Sequence, residues 1–273
     1  MAAGLRVYKE NGSLLLDTEK ITYGLLKSGY LSQLTTWPRL FYKSDNLDPN
    51  DPSSYRETSP IDPVFGFSVT GAVAPIVFIS GAGSTAGASK SGDVTSFYYL
   101  GAGASTKFYY FDTMRDTETG AGLKCFSQNG ELTFNSLQYP LNIVASVQAP
   151  PPGPTIPNTS GQRFTPYAGG SVSVSSSNGP LAQVLVPIGG GEFAASITFT
   201  RSCGFWGDRP YPYICGLQEG AYGVSGGVRF MFRLGGRTTE YLRVGGNTFL
   251  DLPTDRYPTA LVIRTETLPF PFN

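Results

Sequence analysis

Three aspartates, Asp45, Asp48 and Asp51, fall within Ser44-Asp-Asn-Leu-Asp-Pro-Asn-Asp-Pro-Ser53, and closely spaced carboxylates are hard oxygen ligands suited to Ca²⁺. Their spacing is not the D-x-D-x-D-G of an EF-hand, and Pro49 and Pro52 restrict how the loop wraps an ion. A solvated turn without metal is the expectation, with Ca²⁺ as the weaker alternative. Acid chemistry would need two carboxylates roughly 5–10 Å apart. Glu192, Asp208, Glu219, Glu240 and Asp251 supply candidates, but nothing in their spacing or flanks singles out a pair. The aromatic run Phe205-Trp-Gly-Asp-Arg-Pro-Tyr-Pro-Tyr213 has the composition of a recognition loop. Trp206, Tyr211 and Tyr213 would give rigid contact area, and Arg209 a directional donor. The competing expectation makes Trp206 a core plug and the prolines mere turn formers.

The strongest exclusion is that the 273-residue chain has no histidine. Ser-His-Asp and Cys-His catalysis, HExxH zinc sites and haem ligation by histidine all need that residue. Lys plus Arg and Asp plus Glu both number 20, and a neutral chain lacks the basic footprint of nucleic-acid binding. No cofactor is implied, and a binding or structural role is expected in preference to an enzymatic one. The three cysteines are an odd number. Cys125 sits in a strand-like run as a small hydrophobe, while Cys203 and Cys215 bracket the aromatic loop and could close it by a disulfide. Met1-Ala-Ala-Gly-Leu-Arg-Val-Tyr8 lacks the pattern of a secretory leader. The expectation is therefore synthesis in a reducing cytosol, which disfavours that bond.

The elements that must position these residues read as strands. Gly (34) and Pro (21) make up about a fifth of the chain, against about 12% in average chains. Both residues disfavour helix interiors, so short strands at 8–12 residue spacing and tight turns are expected. Phe65–Val69, Ile76–Ile79, Phe97–Leu100, Phe108–Asp112, residues 139–148, 181–188, 193–200 and 257–267 are the strand candidates. In the stretch 226–237, Val228, Phe230, Phe232 and Leu234 form a core face, with Arg229, Met231 and Arg233 opposite. Asp45–Pro63 reads as a polar loop, and the residues after Ile79 as a flexible Gly/Ala/Ser loop. The uncharged stretch Pro63–Ser89 is too interrupted to span a membrane; a loop tip touching lipid is the sharper alternative there. Ala149-Pro-Pro-Pro-Gly-Pro-Thr-Ile-Pro157 reads as a stiff connector. The expected fold is all-β with little helix, as two sandwich- or barrel-like modules: residues 1–148, a Pro-rich linker at 149–162, and a second domain at 163–273.

One internal repeat stands out. Gly4-Leu-Arg-Val-Tyr-Lys-Glu-Asn-Gly-Ser-Leu-Leu-Leu-Asp-Thr18 aligns without gaps on Gly122-Leu-Lys-Cys-Phe-Ser-Gln-Asn-Gly-Glu-Leu-Thr-Phe-Asn-Ser136. Asn11-Gly12 and Asn129-Gly130 predict two β-hairpins with type I′ turns. Alternation places Leu5 and Val7 opposite Leu14 and Leu16, and Leu123 and Cys125 opposite Leu132 and Phe134. Two unrelated hairpins sharing turn chemistry would explain Asn-Gly but not the shared ends.

The pattern Gly-Leu-x-Val-aromatic-x-x-Asn-Gly-x-Leu-x-Leu-Asp-Thr resembles the opening of tail proteins of long-tailed bacteriophages. So does the mid-chain Phe111-Asp112, followed by the second hairpin sequence and by Tyr139-Pro-Leu-Asn-Ile143. The resemblance covers residues 4–18 and 108–144, and Cys125 stands where an aliphatic residue is expected. It implies a small virion component of the tail tip or tail fibre, made in the host cytoplasm and bound to other tail proteins. It further implies a homo-oligomer, with a trimer expected by analogy to fibres, and possible contact with a bacterial surface receptor. The family supplies no catalytic residues. The alternatives are a carbohydrate- or host-surface-binding β module and, after it, a carboxylate-pair glycan hydrolase.

Overall fold

Runs of aromatic and β-branched residues punctuated by glycine and proline favour extended backbone, because side chains stand clear on alternate faces of a pleated strand. The computed structural model describes residues 6–8, 10–12, 14–17, 20–43, 47–48, 51–116, 119–158, 161–175, 179–207, 213–235, 239–240 and 248–273. Strands hold 60% of the residues and helical turns 1%. The first hairpin pairs β1 (Arg6–Tyr8) with β2 (Leu14–Asp17). Next come β3 (Tyr23–Tyr30), β4 (Ser32–Tyr42), a 3₁₀ turn at Pro52–Ser54, β5 (Tyr55–Thr70), β6 (Ile76–Ser80), β7 (Ser84–Ser91), β8 (Val94–Leu100) and β9 (Lys107–Thr113). The second hairpin is β10 (Lys124–Phe126) with β11 (Leu132–Asn135). The remainder comprises β12 (Ala145–Gln148), β13 (Thr155–Asn158), β14 (Gly161–Phe164), β15 (Ser171–Ser175), β16 (Gly179–Ile197), β17 (Ser202–Gly207), β18 (Tyr213–Leu234), β19 (Thr239–Glu240), β20 (Thr248–Leu250) and β21 (Thr259–Arg264).

Among the described residues, the larger sheet has ten strands along the path β12-β21-β16-β18-β6-β9-β3, with β15 on β16, β17 on β18 and β20 on β17. A five-stranded sheet runs β19-β4-β5-β8-β7. One sheet curls into a half-barrel. The all-β expectation holds, but the strands are not uniformly short: β16 has 19 residues and β18 has 22. They reach that length by changing partners. β16 pairs with β18 up to Pro187, slips register, then pairs with β21 from Phe193. Gly189 (φ +144°) and Gly191 (φ +124°) absorb the slip in backbone conformations that a side chain disfavours.

The loop expected over Asp45–Pro63 becomes strand from Tyr55 onward. Pro63 is tolerated because β8 pairs with β5 only from Val64, which leaves the earlier part of β5 paired on the β4 side alone. The Gly/Ala/Ser run expected to be flexible is β7, zipped onto β8 with most of its side chains in solvent. An edge strand is held by its backbone and needs few large side chains. Residues 139–148 are strand only from Ala145.

The two expected modules share their interior. One hydrophobic cluster lies within the second half of the chain, built on Tyr167, Phe193, Phe205, Val228, Phe230 and Phe232. A second joins Phe67, Tyr99, Phe108 and Tyr110 to Tyr222 and Met231; a third joins Phe78, Tyr109 and Phe111 to Ala194 and Ile263. Both cross the boundary placed at 149–162, so that boundary does not separate two cores. The Pro-rich stretch is no free linker either. Ala149 is buried and its N–H donates to the Pro258 carbonyl, while Gly153 N–H and Ala168 N–H bond the carbonyls of Thr165 and Pro151. Thr155–Asn158 then enters a hairpin with Gly161–Phe164. Proline lacks an N–H but keeps its carbonyl, so the segment docks through the N–H groups of Ala149 and Gly153 and the carbonyl of Pro151. Within β18 the expected core face is buried, and Met231 on the opposite face is buried as well. The strand is covered on both sides there.

Candidate recognition surfaces

The repeated hairpins have the same register. Arg6 faces Asp17 as Lys124 faces Asn135, Val7 faces Leu16 as Cys125 faces Phe134, and Tyr8 faces Leu14 as Phe126 faces Leu132. Both ladders slip at the same place, between Val7 and Tyr8 and between Cys125 and Phe126. The turns are not type I′. Gly12 (φ +78°) and Gly130 (φ +80°) are left-handed, but Asn11 and Asn129 are not. In the second hairpin, Gly130 N–H donates to the Ser127 carbonyl and Ser127 N–H to the Glu131 carbonyl. That is a type I turn closed by a glycine bulge, the form that fits a three-residue loop.

At the foot of each hairpin a buried polar residue ties the second strand down. Asp17 pairs with the Arg6 guanidinium at 3.2 Å. Asn135 instead donates its amide to the Arg115 carbonyl at 3.1 Å and accepts from Leu137 N–H at 3.0 Å. A carboxylate could not donate to that carbonyl, which explains the amide in the second copy. Lys124, the counterpart of Arg6, pairs with Asp116. Outward, the copies match again: Tyr8 (55% exposed) corresponds to Phe126 (49%), and Ile21 (52%) to Tyr139 (44%). Four large apolar side chains thus stand in solvent at two pairs of equivalent positions.

The two ends of the aromatic run pair with each other. Trp206 lies opposite Ile214 and Gly207 opposite Tyr213 in the β17–β18 ladder. Arg209 and Tyr211 lie outside the described residues, as do the side chains of Trp206 and Tyr213. Cys203 and Cys215 are both buried free thiols, and Cys203 sits opposite Leu217 rather than Cys215. Burial pushes the Cys203 thiol up to about 12, so it is neither a nucleophile nor a ready disulfide partner. Cys125 is half-buried.

Of the metal-loop aspartates, Asp45 lies outside the described residues. Asp51 caps the 3₁₀ turn, accepting from Ser53 N–H at 2.8 Å. The Ser53 amide and hydroxyl hold its carboxyl below the usual carboxylate range. Asp48 contributes its backbone carbonyl, which accepts from the Ser54 hydroxyl at 2.7 Å. Among the described residues no three Asp, Glu or Cys side chains cluster as a metal site, and no helix is long and apolar enough to cross a membrane.

The candidate acids are dispersed in role. Glu219 is completely buried; its carboxylate accepts from Arg201 Nε at 2.7 Å, Arg201 Nη2 at 2.8 Å and the Tyr167 hydroxyl at 2.8 Å. Arg201 also donates to the Pro253 carbonyl and lies over the Tyr257 ring. Burial, and then the neighbouring carboxylate, raises the Tyr167 hydroxyl well above its ordinary value. This network is satisfied internally and ties β18 to the turn before β17. Glu192 and Asp251 are exposed, Asp208 lies outside the described residues, and of Glu240 only the backbone is described. A second buried carboxylate, Asp112, was not singled out from the sequence. It accepts from the Tyr110 hydroxyl at 2.6 Å and from the amides of Val73, Ala74 and Thr113. Burial pushes its carboxyl up, yet these four donors outweigh burial and hold it below the ordinary value. Its position directly after the aromatic run Phe108-Tyr-Tyr-Phe111 was the available signal.

An apolar cleft of about 150 Å³ opens where β6 leaves β16, lined by Val77, Ile79, Phe97, Tyr99 and Ile197. Sites for drug-sized ligands run about 300–1,000 Å³. The cleft lies below that range. Comparison with protein-family models, curated proteins and solved structures returns no match.

Proposed function

We propose that this chain is a non-enzymatic structural component of a long-tailed bacteriophage tail, placed at the tail tip or a fibre. The duplicated hairpin carries the proposal. Its sequence resembles that family, its two copies share one register, and both display an aromatic residue at the same outward position, Tyr8 and Phe126. Exposed large apolar groups in matched places suit docking on neighbouring proteins. Overall neutrality avoids repulsion among closely packed copies. The neighbours would be other tail proteins and further copies of this chain, with a trimer as the working symmetry. Mass spectrometry of purified particles should find the chain at a fixed stoichiometry. Its absence from particles rejects the proposal, and saturable binding on a glycan array by a chain missing from virions would favour the carbohydrate-binding alternative.

A further inference from the structure

β3 ends the path of the larger sheet, and a sheet edge is a template for another strand unless it is covered. Two segments cover this one. Leu25 N–H donates to the Tyr139 carbonyl and Leu141 N–H to the Tyr23 carbonyl, both at 2.8 Å. Further along, Ser28 N–H donates to the Phe272 carbonyl at 2.7 Å and Phe272 N–H returns to the Ser28 carbonyl at 3.0 Å. The Ser28 hydroxyl adds a bond to the Pro269 carbonyl at 2.7 Å. Side chains then discriminate. The Phe270 ring meets Tyr30 edge-on at 4.9 Å and lies 4.9 Å beneath the Lys107 ammonium; Phe272 meets Tyr139 at 6.2 Å. The pairing is one antiparallel bridge between Ser28 and Phe272, and backbone bonds to a sheet edge combined with seated side chains are a way in which sheets bind peptides. The segment reaches this position through one turn, closed by Leu268 N–H on the Thr265 carbonyl.

We propose that the β3 edge, bounded by Tyr30, Lys107 and Tyr139, is a docking groove for a bent Phe-Pro-Phe segment that bridges to the edge at Phe272. Residues 268–273 fill it in cis, and the same residues of a second copy fill it when the cis segment is displaced. The occupant's chemistry is defined by the segment already seated there, which a second copy would present unchanged. A short tether supplies an effective concentration on the order of 1 mM, so a segment that stays docked must bind as a free peptide below about that value.

The test titrates a labelled peptide of residues 268–273 into a chain shortened to end at Glu266. Saturable one-to-one binding is expected below about 1 mM, weakened at least tenfold when both peptide phenylalanines are alanine, and absent with the intact chain. A shortened chain that melts cooperatively but does not bind at several times that concentration overturns the proposal. So does equal binding by the intact chain. Where shortening prevents folding, a full-length chain carrying a protease site at Glu266–Thr267 is cut after folding. Exchange of the freed segment for the labelled peptide then supports the proposal, and failure to exchange refutes it.

Discussion

Replacing Glu219 by glutamine tests whether the buried Arg201–Glu219–Tyr167 network holds the second half of the chain together. Side chains of Arg201 and Glu219 are 2% and 0% exposed, so water cannot take over lost bonds. Glutamine keeps the shape but turns an NH₂ group toward the Arg201 donors. One of the two charge-assisted bonds is lost, worth about 1.5–3 kcal/mol, the other weakens because its acceptor is now neutral, and Arg201 keeps an uncompensated buried charge. Breaking such a pair from one side costs about 3–5 kcal/mol; we expect about 4 kcal/mol here. At this chain length each kcal/mol lowers Tm by roughly 2 °C, so Glu219→Gln should melt about 8 °C early. Tyr167→Phe removes one bond to the carboxylate and leaves the ion pair, so it should cost about 1.5 kcal/mol, or roughly 3 °C. Joint replacement by Met at 201 and Leu at 219 removes both charges and should recover much of the loss. Calorimetry and urea unfolding of all four proteins give the comparison. If Glu219→Gln loses less than about 1 kcal/mol, or the double variant is worse than Glu219→Gln, the network does not carry the load assigned to it.

Further outcomes follow from the same geometry. Burial raises the hydroxyls of Tyr99, Tyr109, Tyr110, Tyr167 and Tyr222 above the ordinary value of 10.0. Their contribution to stability is therefore complete below that pH and is lost above it, as unfolded tyrosines ionise first; tyrosinate absorbance should rise together with unfolding. Asp112 acts in the opposite sense, since its folded value lies below the ordinary 3.8. Its share of stability is present above that value and lost as pH falls through the folded one, and Asp112→Asn should reduce acid sensitivity while lowering Tm at neutral pH. Gly223→Ala would drive a Cβ into the Phe193 carbonyl where β18 meets β6, and should cost more than about 2 kcal/mol by urea unfolding. Thiol labelling of the folded protein should modify Cys125 and spare Cys203 and Cys215; rapid reaction at all three would contradict the buried positions of the latter two. Serine at both Tyr8 and Phe126 should leave Tm within about 1 °C and reduce incorporation into particles. Unchanged incorporation would remove the hairpin faces from the docking surface.

Val228, Phe230, Phe232 and Leu234 emerged on the expected core face because burial on one side imposes a period of two, whereas Phe108–Asp112 was legible as a strand from its aromatic run and is buried on both faces. The duplicated hairpin was legible because it depends on local turn chemistry. What escaped depends on partners distant in sequence. β7 carries Gly, Ala and Ser and is a strand only because β8 lies beside it. The Pro-rich stretch looks like a spacer until the fold brings the Pro258 and Thr165 carbonyls to the N–H groups of Ala149 and Gly153, and the Ala168 N–H to the Pro151 carbonyl. Glu219 was one of five candidate acids, and only the fold brings Arg201 and Tyr167 to it. The turn type was misassigned because Asn-Gly serves both a type I′ turn and a glycine bulge; loop length decides between them.

The bond between Ser28 and the Pro269 carbonyl closes a separation of 241 residues. At a synthesis rate of about 5–20 residues per second, β3 would wait on the order of 10–50 s for its cover. Throughout that interval the nascent chain would present an open strand edge beside Tyr30 and Tyr109, while neighbouring chains on the same message present the same edge. The timing of this last contact therefore sets a window in which copies can pair correctly or aggregate. Slowing synthesis, or removing residues 268–273, should widen that window and lower the soluble yield before any effect on the folded protein is seen.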